Sequence, residues 1–180
     1  MNSTCLNCGE AIQGNYCSSC GQSAHIARIS WKSLGHEFIH TFTHAESSLL
    51  GTTWQLILRP GKVLQEYISG KRKKYQAPVS FFLIWVTLSI FTHRMILSKN
   101  GFHPVYKEGL TFSNPQSIKV FIEHGQWFYL LTFPLIAAFL YFFIARTIFS
   151  YIESLVITMY TFSVDYAFFV LYYLIGGGLL

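Results

Sequence analysis

Four cysteines stand in two short knuckles, Cys5-x-x-Cys8-Gly9 and Cys17-x-x-Cys20-Gly21, and the chain contains no others. Four thiolates at that spacing can close a tetrahedral shell around one metal ion, and each trailing glycine lets the backbone turn tightly toward sulfur. Residues 1–24 are thus predicted to form a small zinc ribbon. Eight residues separate the knuckles, and Asn7, Gly9, Gly14 and Asn15 supply turns, with Tyr16 as an aromatic to pack beside the metal. A unit of this size has almost no core, so metal binding and folding are expected to be one event. Cys5, Cys8, Cys17 and Cys20 leave no coordination position open for a substrate, which predicts one structural Zn²⁺. A dithiol redox role would need a CxxC at a helix N-terminus to depress a thiol pKa, and nothing nearby suggests one.

Behind the knuckles the composition changes. Only 12% of the 180 residues are charged, while 52% are hydrophobic and 18% aromatic. Soluble domains carry roughly 25% charged residues. The deficit is uneven: eight of the thirteen Lys/Arg and four of the eight acids precede residue 77. The first residues, MNSTCLNC, lack both a basic stretch and an apolar run, which predicts no cleavable signal and insertion through later segments.

The fold class expected is an all-α integral membrane protein carrying the ribbon at its N-terminus. Residues 25–76 are predicted to hold two amphipathic helices lying on the membrane surface and a basic anchor. In the first, Trp31, Leu34, Phe38, Phe42, Ala45 and Leu49 recur at steps of three and four, with Trp54 to Leu58 as a shorter apolar turn after it. In the second, Pro60 suits the first helical position, Gly70 the end, and Val63, Leu64, Tyr67 and Ile68 share a face. Residues 77–180 are predicted to contain about three spans, at about 79–97, 127–149 and 154–178. A polar loop separates the first two, and only a few residues separate the last two, which predicts an antiparallel hairpin.

Lys62, Lys71, Arg72, Lys73 and Lys74 crowd the near side of the first span, while Lys99, Lys107 and Lys119 are spread thinly beyond it. The bias of Lys and Arg places the N-terminus in the cytoplasm, in agreement with four reduced cysteines.

Leu58-Arg-Pro-Gly-Lys62, Tyr67-Ile-Ser-Gly-Lys-Arg72, Tyr75 and Pro78-Val-Ser-Phe81 resemble the signature of an uncharacterised bacterial membrane-protein family, a domain of unknown function. Members of that family set a CxxC…CxxC ribbon before the signature and continue into several membrane helices. The resemblance runs from about Cys5 to Trp85, and Tyr151-Ile-Glu153 is also similar. It implies a multi-pass protein of the bacterial inner membrane and no particular activity.

Three other constellations bear on function. His36-Glu37-Phe38-Ile39-His40 matches H-E-x-x-H, in which two histidines one turn apart bind zinc and the glutamate activates water. Histidine is locally abundant, with His25 and His44 nearby, and the continuation departs from the metzincin pattern. A polar helix face is the expectation and a membrane-bound zinc hydrolase the alternative. Lys71-Arg-Lys-Lys74, with Arg59 and Lys62, reads as a topology anchor to anionic lipid headgroups, each charge contributing about 1 kcal/mol. Asp165, the only aspartate, falls within the third span with Thr158 and Thr161 on nearly the same face. A carboxylate in mid-membrane costs about 2.5–3.5 kcal/mol, so this polar stripe is either helix-to-helix glue or part of a transport path.

Nucleic acid is not an expected partner: residues 1–24 contain no Lys or Arg, and four thiolates around Zn²⁺ leave a negative unit with no cations for phosphate. The function expected is a non-enzymatic membrane protein whose cytoplasmic ribbon docks a protein partner or assists assembly. A transport or channel component using Asp165 is the first alternative.

Overall fold

The computed structural model describes residues 3–25, 29–31, 34, 49–100 and 131–177. Two strands, β1 (Ser3–Thr4) and β2 (Ala11–Ile12), pair antiparallel with Ser3 opposite Ile12 and Thr4 opposite Ala11. The rest of the regular structure is helical: α1 (Leu49–Leu58), α2 (Pro60–Ile68), α3 (Pro78–Asn100), α4 (Leu131–Ile144) and α5 (Tyr151–Tyr172). The chain closes α4 with a π-helical turn at Tyr141–Ala145 and follows α5 with another at Tyr173–Gly177.

Local chemistry explains the helix ends. Pro60 opens α2, where its missing N–H is no loss. At the other end the Gly70 N–H donates to the Tyr67 carbonyl and the Lys71 N–H to the Glu66 carbonyl, with Gly70 at φ +110°. That pair of bonds is a Schellman closure, and the left-handed φ requires glycine there. Ser150 and Glu153 begin α5 with a capping box: the Ser150 hydroxyl accepts from the Glu153 N–H at 3.3 Å, and the Glu153 carboxylate accepts from the Ser150 N–H at 2.7 Å.

Two helices are long and apolar enough to cross a membrane, over Pro78–Met95 and Tyr151–Ile175. Several of their serine and threonine hydroxyls are satisfied inside the helices. Thr92, Thr158, Thr161 and Ser163 each donate to the carbonyl four residues earlier, and Ser89 to Val86. The third predicted span, 127–149, is an apolar helix over Leu131–Ile144, shorter than a bilayer requires, and its first residues lie outside those described.

Helices α3 and α5 run parallel. Tyr160, Tyr166 and Phe169 of α5 meet Phe81, Phe82 and His93 of α3 in the same order, with ring centroids 5.6, 6.2 and 6.3 Å apart. The buried stripe of α5, Val156, Tyr160, Ser163, Ala167 and Val170, steps by three and four residues and includes two small side chains that admit close approach. Parallel neighbours joined in sequence require a return segment between them, and α4 lies in that stretch of chain.

Their starts are staggered. The Tyr160 hydroxyl donates to the Gln76 carbonyl at 2.6 Å, two residues before α3 begins. The opening turns of α5 therefore precede the level of α3. Helix α1, whose Thr52, Thr53 and Leu56 are buried, packs against α5, and the Trp31 ring lies 5.9 Å from that of Tyr151. Leu50, Trp54 and Leu58, at steps of four on the other side of α1, are exposed. The segment read from sequence as a short apolar turn is thus the second half of a ten-residue helix.

Tyr160 is wholly buried, with the rings of Tyr67 and Phe81 each 5.6 Å away. Replacing Tyr160 by Phe keeps the packing and leaves the Gln76 carbonyl without its donor. Tyr160→Phe should lower unfolding stability in detergent by about 1–2 kcal/mol; an unchanged denaturation midpoint would mean the bond contributes nothing.

Candidate metal centre

The two knuckles are one structural unit repeated at an offset of twelve residues. In the first, the Cys5 N–H donates to the Glu10 carbonyl at 2.8 Å and the Gly9 N–H to the Cys5 carbonyl at 2.8 Å; in the second, Cys17 bonds to Gln22 at 2.8 Å and Gly21 to Cys17 at 2.9 Å. Gly9 and Gly21 take φ +81° and +71°, the conformation that turns each loop back on its first cysteine. The pairing of Thr4 with Ala11 recurs as an isolated bridge between Tyr16 and Ser23. Burial repeats at the first cysteine of each knuckle: Cys5 and Cys17 are buried, while Cys8 is exposed and Cys20 half-buried.

The repeat brings the four sulfurs together. All four Sγ atoms lie within 4.8 Å of one another, with Cys5 to Cys20 at 3.6 Å and Cys8 to Cys17 at 3.5 Å. Metal–sulfur bonds of about 2.3 Å in a tetrahedron set sulfurs roughly 3.8 Å apart, so this cluster can hold one metal ion. The thiols of the two first-knuckle cysteines ionise unequally. The Cys8 backbone amide, ahead of smaller contributions, holds the Cys5 thiol down to about 7. An amide bond from Glu10 favours the Cys8 thiolate, yet burial and the three surrounding thiols push Cys8 up to about 12.

The knuckle unit rests on the basic segment that precedes α3. The Gln22 side-chain oxygen accepts from the N–H of Arg72 at 3.1 Å and of Lys73 at 3.2 Å. The cations beside them are not all free for lipid. Lys74 lies 2.7 Å from one Glu66 oxygen, the Tyr75 hydroxyl donates to that same oxygen, and Lys71 lies 3.3 Å from the other. The Lys74 bond, then that of Tyr75, holds the Glu66 carboxyl down to about 2. The Lys74 ammonium is correspondingly raised, and burial pushes the Tyr75 phenol up.

Two lysines of the predicted headgroup anchor are thereby paired within the protein. Arg59 and Lys62 stand exposed at the α1–α2 elbow, with no side-chain bond capping α2. Thr158, Thr161 and Asp165 share a face of α5, but Thr158 is buried while Thr161 and Asp165 are exposed. Asp165 and Thr161 border a groove walled by Leu56, Pro60, Leu64 and Phe168, on the α1–α2 side of α5. Asp165 lies only five residues, about 7.5 Å of helix, past the level at which Tyr160 meets Gln76. The His36-Glu37-x-x-His40 motif lies outside the described residues.

Glu66 and Gln22 were not singled out by the sequence. A signal existed for Gln22, since the twelve-residue offset makes it the counterpart of Glu10 with the charge removed. For Glu66 it was weaker: a lone acid shortly before four consecutive cations.

Residues 46–90, a quarter of the chain, match a family described as a protein of unknown function (DUF3667). The match spans α1, α2, the basic segment and the first half of α3, and stops short of the cysteines. No curated protein and no solved structure matches the chain.

Glu66 sets a pH dependence. Its folded pKa lies below the ordinary 4.5, so its contribution to stability is full above about pH 4.5 and is lost as pH falls toward 2. Glu66→Gln should flatten the loss of stability in that window, measured by thermal unfolding against pH. An acid limb identical to that of the parent would show that Glu66 is not its source.

Proposed function

We propose that this chain is a multi-pass integral membrane protein with about three spans, whose N-terminal knuckles hold one structural Zn²⁺ on the cytoplasmic side as a docking or assembly module. The observation that carries it is the placement of a four-sulfur cluster on the segment leading into α3. A thiolate tetrahedron suits zinc, and a closed shell acts structurally and not as a hydrolytic centre.

Membrane insertion draws support from the outer surfaces of the long helices. Phe91, Phe168, Leu174 and Ile175 are exposed there, as are Leu135, Phe139 and Phe143 on the shorter α4, a frequency of bare large apolar side chains that suits lipid. The parallel run of α3 and α5 is what two spans of the same direction with one return would produce. Arg59 and Lys62, unpaired with acids among the described residues, suit lipid phosphate, and the reduced thiols suit the cytoplasm. Docking fits the ribbon because it presents a rigid, anionic, lysine-free surface to a protein partner, not to nucleic acid.

The transport alternative draws less support. The hydroxyls of Thr158 and Thr161 are bonded within α5, and Asp165 faces the α1–α2 elbow instead of the α3 interface.

Purified protein should carry one zinc per chain by elemental analysis, and the double change Cys5→Ser, Cys20→Ser should remove it. Crosslinking in native membranes should then capture the same cytoplasmic protein on the parent and lose it on the double variant. Metal-free parent protein, or equal capture by both, would refute the docking role.

A further inference from the structure

Gln22 does two things at once. Its carbonyl accepts from the Cys17 N–H at 2.8 Å, closing the second knuckle, while its side-chain oxygen accepts from the Lys73 amide and shares the Arg72 amide with the Gly70 carbonyl, about fifty residues later. The repeat supplies an internal control. Glu10 closes the first knuckle with the same main-chain bond, yet its side chain is exposed. The knuckle turn therefore needs no particular side chain here, and the burial of Gln22 to 5% exposure reflects a separate task. A side-chain amide oxygen has two lone pairs and can serve both main-chain donors.

What lies downstream of those amides matters. Three residues after Lys73, the Gln76 N–H donates to the Thr52 hydroxyl at 2.9 Å and the Gln76 carbonyl accepts from Tyr160. The knuckle unit by contrast has a core of only Cys5, Ile12 and Cys17, with Cys20 and Ala24 against it. So small a core does not keep its shape without a metal.

We infer that the metal centre is a latch: occupancy of the four cysteines fixes Gln22 on the Arg72 and Lys73 amides, and loss of the metal releases the backbone that leads into α3. The latch rests on the reading that the knuckles carry a metal. Glu66 keeps hold of the Lys71 and Lys74 side chains in either state, so the release is confined to main-chain amides. The device would couple metal supply to the geometry at which the first long helix begins.

Hydrogen exchange on the full chain in lipid nanodiscs, with metal content measured on the same samples, tests this. The Lys73 amide should exchange about tenfold faster once zinc is chelated, the scale expected for losing one hydrogen bond, and the Arg72 amide, which keeps the Gly70 carbonyl, should change less. Gln22→Ala should keep one zinc per chain and exchange there like the stripped protein, whereas Glu10→Ala should keep both zinc and protection. Zinc-loaded Gln22→Ala with parental protection would overturn the latch and leave the metal centre standing. Should Gln22→Ala fail to load, zinc titration of the parent decides, because protection must rise with the same midpoint as occupancy and a flat response overturns the latch. Absence of any bound metal would overturn the latch and the metal centre together.

Discussion

The buried contact between Tyr160 and Gln76 is the joint on which the helical part of the protein depends. It fixes the level of α5 against the start of α3, and the second bond on Gln76, from its N–H to Thr52, brings in α1. Around it, the rings of Tyr67 and Phe81 fill the space from α2 and α3. Four helices thus converge on one tyrosine. A buried main-chain group needs a partner, and Gln76, at the end of an irregular segment, obtains both of its partners from elsewhere in the chain.

The same logic governs the segment before it. Residues 71–76 lack a helix or strand of their own, so side chains supply their contacts: Gln22 from the knuckle unit and Glu66 from α2. Several residues that resemble a family signature thereby acquire structural roles. Pro60 starts α2, Gly70 ends it in a left-handed turn, Tyr75 sits on Glu66, and Pro78 and Phe81 are buried where α3 begins. The match to a protein family of unknown function covers this region, and its residues join the helices to one another and to the knuckle unit.

Much of this was legible in advance, and the reason is local. Cysteine spacing announced a four-sulfur cluster because a CxxC turn is closed by its own backbone. Pro60 and Gly70 marked helix ends because caps act within a few residues. Long apolar runs marked α3 and α5 because lipid-compatible helices need only composition and length. Asp165 shows where this stops: helical angle grouped it with Thr158, but tertiary packing buries Thr158 and leaves Asp165 exposed, a difference that a helical wheel does not contain.

The amino-acid order by itself determined a knuckle pair that gathers four thiols, a helix opening at Pro60 before a basic run, and two helices apolar enough to cross a bilayer. Only the tertiary structure decided that the knuckles sit on that basic run through Gln22, that Glu66 takes up two of its lysines, and that α5 begins before α3. Those choices join residues fifty and eighty-four positions apart. Periodicity and spacing report what a segment can bury within a turn or two, while pairing at such separations is set by which buried donors and acceptors find each other when the helices pack.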